Sequence, residues 1–157
     1  MKRTATLGLA TGILAALSAM VLPVHAAADG ATVFARCSAC HTKTGAGVPG
    51  AFPPLGTDVR TMATTEAGRR YLALVITRGV SGPIKVAGKP YAGVMPAQGG
   101  LDDASVAAVL NHVGTVIVKT GQDFKPFEEA EIAAFRAGGA TLSAQDVGKL
   151  HAAAGGQ

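Results

Sequence analysis

Apolar residues recur along the chain at helical spacing in several places, and those places set the expected elements. After Lys2 and Arg3, an uncharged run from Leu7 to Val21 leads to Val24-His25-Ala26. A basic start, an apolar centre and a small residue at the cut make a secretory signal pattern. The run of about 15 residues is shorter than the roughly 20 that a spanning helix needs. Residues 1–26 are therefore expected to be removed rather than kept as an anchor, with cleavage after Ala28 as the alternative. Beyond the cut, Asp29 can cap a helix to about Ala39 on which Val33, Phe34 and Cys37 share a face. The Gly- and Pro-rich stretch 42–58 reads as an ordered loop. A second helix is expected over Glu66–Arg78, where Tyr71, Leu72, Val75 and Ile76 form the stripe, Arg69 and Arg70 flank it, and Gly79 stops it. Alternation over 84–91 predicts a small hairpin with Gly88 and Lys89 in its turn. Asp102 or Asp103 then caps a helix carrying Val106, Val109, Leu110, Val113 and Ile117, the clearest amphipathic face in the chain. Two short helices end the sequence, near Glu128–Ala137 and after Ser143, divided by Gly138 and Gly139.

Composition changes this picture in one respect. The 157 residues suit one compact unit, but aromatics are only 4%, Trp is absent, and Gly alone accounts for 21 positions. Small side chains make a thin core, which struggles to offset chain entropy unless something large and apolar fills the centre. Charge is less informative. Without the leader there are 12 basic and 10 acidic residues, a net of about +2, too weak for a nucleic-acid partner. The stretch 29–126 holds 10 basic and 6 acidic residues, whereas the remainder holds 2 and 4, so the body is basic and the tail acidic.

The chemistry concentrates in Cys37-Ser38-Ala39-Cys40-His41. Two thiols three positions apart stand on one side of a helical turn, and the next residue brings an imidazole. That geometry suits a porphyrin edge, with both thiols gripping vinyl groups and His41 reaching the iron; Cys-x-x-Cys-His is the attachment signature of c-type haem. A thioredoxin-like site would need a preceding strand, which the pattern lacks. A zinc site would have to recruit His112 or His151 from far along the chain without a second Cys pair, and a disulfide between two nearby exported thiols is the remaining alternative to haem attachment. One motif implies one haem. For the sixth iron position the mature chain offers Met62 and Met95. Met95, in Gly93-Val94-Met95-Pro96, has a glycine that permits close approach and a proline that stiffens the exit; Met62 is read as a core or surface residue.

Taken in order, Gly30-x-x-x-Phe34, Cys37-x-x-Cys40-His41, Phe52-Pro53-Pro54-Leu55, Gly82-Pro83-Ile84-x-Val86-x-Gly88-x-x-Tyr91 and Val94-Met95-Pro96 resemble a class I cytochrome c of the small bacterial periplasmic monohaem type. The likeness covers about Asp29–Val118. It implies an all-α cytochrome c fold, in which three core helices surround one covalently bound haem c, with a small hairpin before the Met loop and a helical C-terminal extension. On this reading residues 1–26 are the signal, 27–120 the cytochrome domain and 121–157 the extension. The resemblance further implies that Gly30 and Phe34 cross the helix bearing Val109, Leu110 and Val113. It also implies that the Pro53 carbonyl accepts a hydrogen bond from His41, and that Cys37, Cys40, His41, Met95 and Pro53 hold the cofactor. Relatives tend to carry an aromatic, usually Tyr, where this chain has His112, which is read here as a packing or half-exposed residue.

Two protein ligands leave iron no open position. The function implied is therefore single-electron transfer in the periplasm, with no catalytic residues and no stable membrane insertion. Its partners would be redox proteins: a periplasmic dehydrogenase or reductase, and a terminal oxidase of the respiratory chain. Arg36, Lys43, Lys85 and Lys89 are candidate rim charges. The rival readings are a haem enzyme or gas sensor with a labile sixth ligand, and a haem subunit dedicated to one dehydrogenase complex.

Overall fold

Four of the six α-helices among the described residues begin where a side chain supplies an acceptor for their unpaired amides. A computed structural model describes residues 29–157, so the expected signal segment lies outside the described residues. The Asp29 carboxylate accepts from the amides of Ala31 and Thr32 and opens α1, Gly30–His41. Helix α2, Thr57–Met62, is short and starts at the end of the Gly/Pro-rich stretch, where the sequence pattern predicts no helix. Thr65 accepts from the Gly68 amide to start α3, Glu66–Arg78, and Gly79 stops it with φ 77°.

Four short strands follow: β1 Val80–Ser81, β2 Ile84–Val86, β3 Lys89–Tyr91 and β4 Val94–Met95. They form two antiparallel pairs, β2 with β3 and, unexpectedly, β1 with β4, where Val80 faces Met95. The hairpin turn is Ala87-Gly88, one residue earlier than expected, because Val86 pairs with Lys89 and the two residues between them take φ 51° and 72°. Two successive positive-φ residues are what the right-handed twist of a two-residue hairpin requires. The Asp58 carboxylate holds the Ala87 amide at 3.0 Å and so ties the turn to α2.

Asp102 caps α4, Asp103–His112, which runs into a π-helical turn at Val113–Ile117. Helices α1 and α4 cross at Gly30. A Cβ there would collide with the Ala108 carbonyl and the His112 Cβ, so only glycine allows this approach. Beside the crossing the Phe34 and His112 rings lie 5.4 Å apart.

Two more helices complete the chain, α5 Glu129–Gly138 and α6 Ala144–Leu150, the latter opened by a reciprocal Ser143/Asp146 capping box. They pack into the same core: α5 lies on α3 and α4, and α6 lies on α3 and β1. Ile132 and Val147 are fully buried in the cluster that also contains Leu74 and Val106.

The junction is closed by Arg69, which the sequence pattern had set at the edge of the α3 stripe and which is instead buried. Its guanidinium grips Glu131 with two bonds of 2.6 Å and donates to the carbonyls of Ala63, Lys125 and Pro126. All its N–H groups are thereby used. The same group lies 3.9 Å over the Phe127 ring.

Candidate functional site

A large cleft of about 1240 Å³, counting its open mouth, runs through the body between α1, α3, α4 and the strand pairs. Its lining is overwhelmingly apolar, with Phe34, Leu72, Ile76, Val109 and Leu110 among the walls. Phe52 and Val94, both exposed, stand at the rim.

Cys37, Cys40 and His41 all border this cleft from the last turns of α1. Neither cysteine is in a disulfide. Burial pushes the Cys37 thiol up from its ordinary range, the opposite of the lowered pKa that a thioredoxin-type nucleophile needs. His41 is buried, and burial pushes its pKa down while the Pro53 bond works against that shift. The ring is therefore neutral at neutral pH. Its Nδ1–H donates to the Pro53 carbonyl at 2.9 Å, which leaves the Nε2 lone pair as the nitrogen able to bind a metal.

The loop after α1 explains why that carbonyl is in reach. The Gly47 amide bonds back to the His41 carbonyl and the Leu55 amide to that of Gly45, so the loop is drawn tightly over the helix end. Gly47 has φ 66°, and a Cβ there would strike the Phe52 and Pro53 carbonyls. Without glycine at that position Pro53 could not face His41.

Both methionines border the cleft. Met62 is buried in the core from α2, 5% exposed, with its carbonyl packed against Gly68. Met95 is half-buried on β4, and Gly93 and Pro96 on either side of it also line the cleft. His112 lies at the helix crossing rather than in the cleft.

The structure adds one pair that spacing alone did not connect. His151, from the end of the chain, borders the cleft beside Tyr71 of α3 and hydrogen-bonds to its hydroxyl at 2.9 Å. No periodic signal links residues 80 positions apart.

Taken together, the cleft offers apolar walls, two thiols one helical turn apart, an oriented neutral imidazole and a thioether. This donor set fits a covalently attached haem, whose body is apolar and whose iron takes one nitrogen and one soft sulfur ligand.

Comparison with known proteins agrees with that chemistry. The family model described as "Cytochrome c" matches residues 27–116. A cytochrome c-552 of Thermus thermophilus is 46% identical over 114 residues, which span 71% of this chain and 77% of its own length. A second cytochrome c-552 from the same species is 46% identical over 112 residues, 70% of this chain and 86% of its own. With more than half of its length matched by the family model, and with the attachment spacing Cys37-x-x-Cys40-His41 at the edge of an apolar cleft, the chain belongs to the cytochrome c family: a monohaem electron carrier bearing one covalently bound haem c.

Proposed function

We propose that Cys37 and Cys40 hold the haem through thioether bonds, that His41 and Met95 ligate its iron, and that the exported protein shuttles single electrons in the periplasm. Its donor would be a periplasmic dehydrogenase or reductase and its acceptor the respiratory chain. The observation that carries this reading is the His41–Pro53 bond of 2.9 Å, which aims a neutral imidazole from the same helical turn that presents the two thiols. Held between His41 and Met95, the haem would supply one-electron chemistry at a raised potential.

The chain's own residues do the rest. Pro53 fixes the His41 ring and raises its basicity as a ligand. Gly93 and Pro96 hold the Met95 segment on the cleft, and the β1 pairing anchors it from behind. The apolar walls keep water from the site. Phe52 and Val94 present exposed apolar side chains beside the cleft for brief contact with a redox partner. Export rests on residues 1–26, and among the described residues no helix is long and apolar enough to cross a membrane.

The test is an absorption spectrum of the natively matured protein, oxidised and reduced. Met95→Ala should abolish the weak far-red band of thioether-bound ferric haem and let reduced protein bind carbon monoxide, while Met62→Leu leaves both properties unchanged. Survival of the band in Met95→Ala, or its loss in Met62→Leu, would move the ligand assignment. Rapid carbon monoxide binding by the unmodified protein would favour a gas-binding or enzymatic role over a carrier.

A further inference from the structure

His151 follows α6, far along the chain from the haem motif, yet its imidazole is buried against the cleft. Its Nε2 lies 2.6 Å from the Lys85 carbonyl and its Nδ1 lies 2.9 Å from the Tyr71 hydroxyl. A carbonyl oxygen can only accept, so Nε2 carries a proton. In a neutral ring Nδ1 then has only a lone pair. The Tyr71 O–H must therefore donate to it, and the hydroxyl proton is committed to His151. Burial pushes the Tyr71 pKa well above its ordinary value, so the phenol keeps that proton. The ring is also confined: a Cβ on Gly156 would collide with the imidazole, and the Gly156 amide bonds to the His151 carbonyl at 3.0 Å. Edge-on packing against Tyr71, with ring centroids 5.2 Å apart, completes the lock.

We propose that His151 is a positioning residue for electron transfer: by binding the Tyr71 hydroxyl proton, it leaves the lone-pair side of that oxygen to the cleft and lowers the haem's reduction potential. The proposal rests on haem filling the cleft, as argued above. A partial negative charge beside a group that gains an electron disfavours the reduced form, and in an apolar interior water screens this little. Without His151 the O–H is free to turn, presenting its positive end to the cleft and favouring reduction. Hydrogen bonding and dipoles around the cofactor are established levers on haem potentials.

Redox titration of the matured holoprotein tests this with His151→Leu, Tyr71→Phe, the double variant and His151→Gln. At a fixed mediator potential, His151→Leu should raise the reduced-to-oxidised ratio about threefold, ~28 mV upward at 59 mV per tenfold. In a Tyr71→Phe background the same change should leave the ratio unmoved, because the hydroxyl through which His151 acts is gone. His151→Gln, whose amide can donate to Lys85 and accept from Tyr71, should keep the original ratio.

An unchanged ratio in His151→Leu, or an equal shift in both backgrounds, overturns the proposal. A packing role alone would lower stability and leave the potential where it was. Should His151→Leu fail to mature, Tyr71→Phe carries the test, since removing the oxygen must itself raise the potential and an unmoved value overturns the proposal. A colourless unmodified protein would instead overturn the haem reading, whereas a normal spectrum with an unmoved ratio defeats only this inference.

Discussion

The cleft and the tail junction sit on opposite uses of the same helix α3. Toward the cleft α3 presents Leu72, Val75 and Ile76, apolar groups whose partner is not in the polypeptide. Toward the tail it presents Arg69, whose donors are all met by Glu131 and three backbone carbonyls. The later turns are complementary to a cofactor and the first turn is complementary to its own chain. Arg69 lies three residues before Leu72 and seven before Ile76, so it shares their side of the helix and is set apart by its place at the start of α3, where the tail covers it. The lesson is that stability here has two sources, one covalently supplied and one encoded in hydrogen bonds, and each should fail in its own way.

The sharpest way to separate them is to detach the cofactor. In Cys37→Ala/Cys40→Ala, haem should become extractable by acidified organic solvent, and the exported protein should lose its cooperative thermal transition. The cleft walls would then face water or collapse on one another, while the tail junction, untouched in sequence, could not hold the body alone. A cooperative transition near that of the original protein would show that the polypeptide core suffices without attachment.

The second break is smaller and lies at the start of α3. Arg69→Met leaves Glu131 without its cation and strands the Ala63 carbonyl in the interior. Removing one partner of such a pair costs about 3 kcal/mol, toward the lower end of the range because Glu131 is partly exposed. Denaturant unfolding should show that loss while the absorption spectrum stays unchanged. A spectral change would mean that the tail junction and the cleft are coupled through α3.

The third effect is smallest and depends on pH. Arg69 holds the Glu131 carboxyl below the usual carboxylate range. A lowered folded-state pKa contributes stability that is fully present above the unfolded value of about 4.3 and is lost as pH falls through the folded value. Stability should accordingly fall on the acid side, and Glu131→Gln should flatten that slope without altering the neutral-pH spectrum. An unchanged slope in Glu131→Gln would assign the acid sensitivity to other carboxylates.

Some of this architecture was legible before any coordinates. The spacing of Tyr71, Leu72, Val75 and Ile76, with Gly79 after, marks α3 because a helix repeats every 3.6 residues and its end needs a particular stop. The attachment run is legible for the same reason, since thiols three apart and an adjacent imidazole form one local unit. Helix α2 escaped because a six-residue helix beside several glycines and prolines shows too few turns to establish a period. The β1–β4 pair escaped because two-residue strands have no alternation to read.

What the chain determined by itself is whatever depends on neighbours in sequence: the capped helices, the haem attachment turn, the glycine stop before the strand pairs. Only the tertiary structure decided that Arg69 is buried rather than flanking, that the loop carbonyl of Pro53 meets His41, and that His151 closes on Tyr71 at the cleft. Each of these joins residues from separate elements through a single contact, and one contact leaves no repeat along the sequence. Periodicity can say which face of a helix is apolar, but what covers that face is settled by how distant segments fill space and satisfy one another's donors and acceptors.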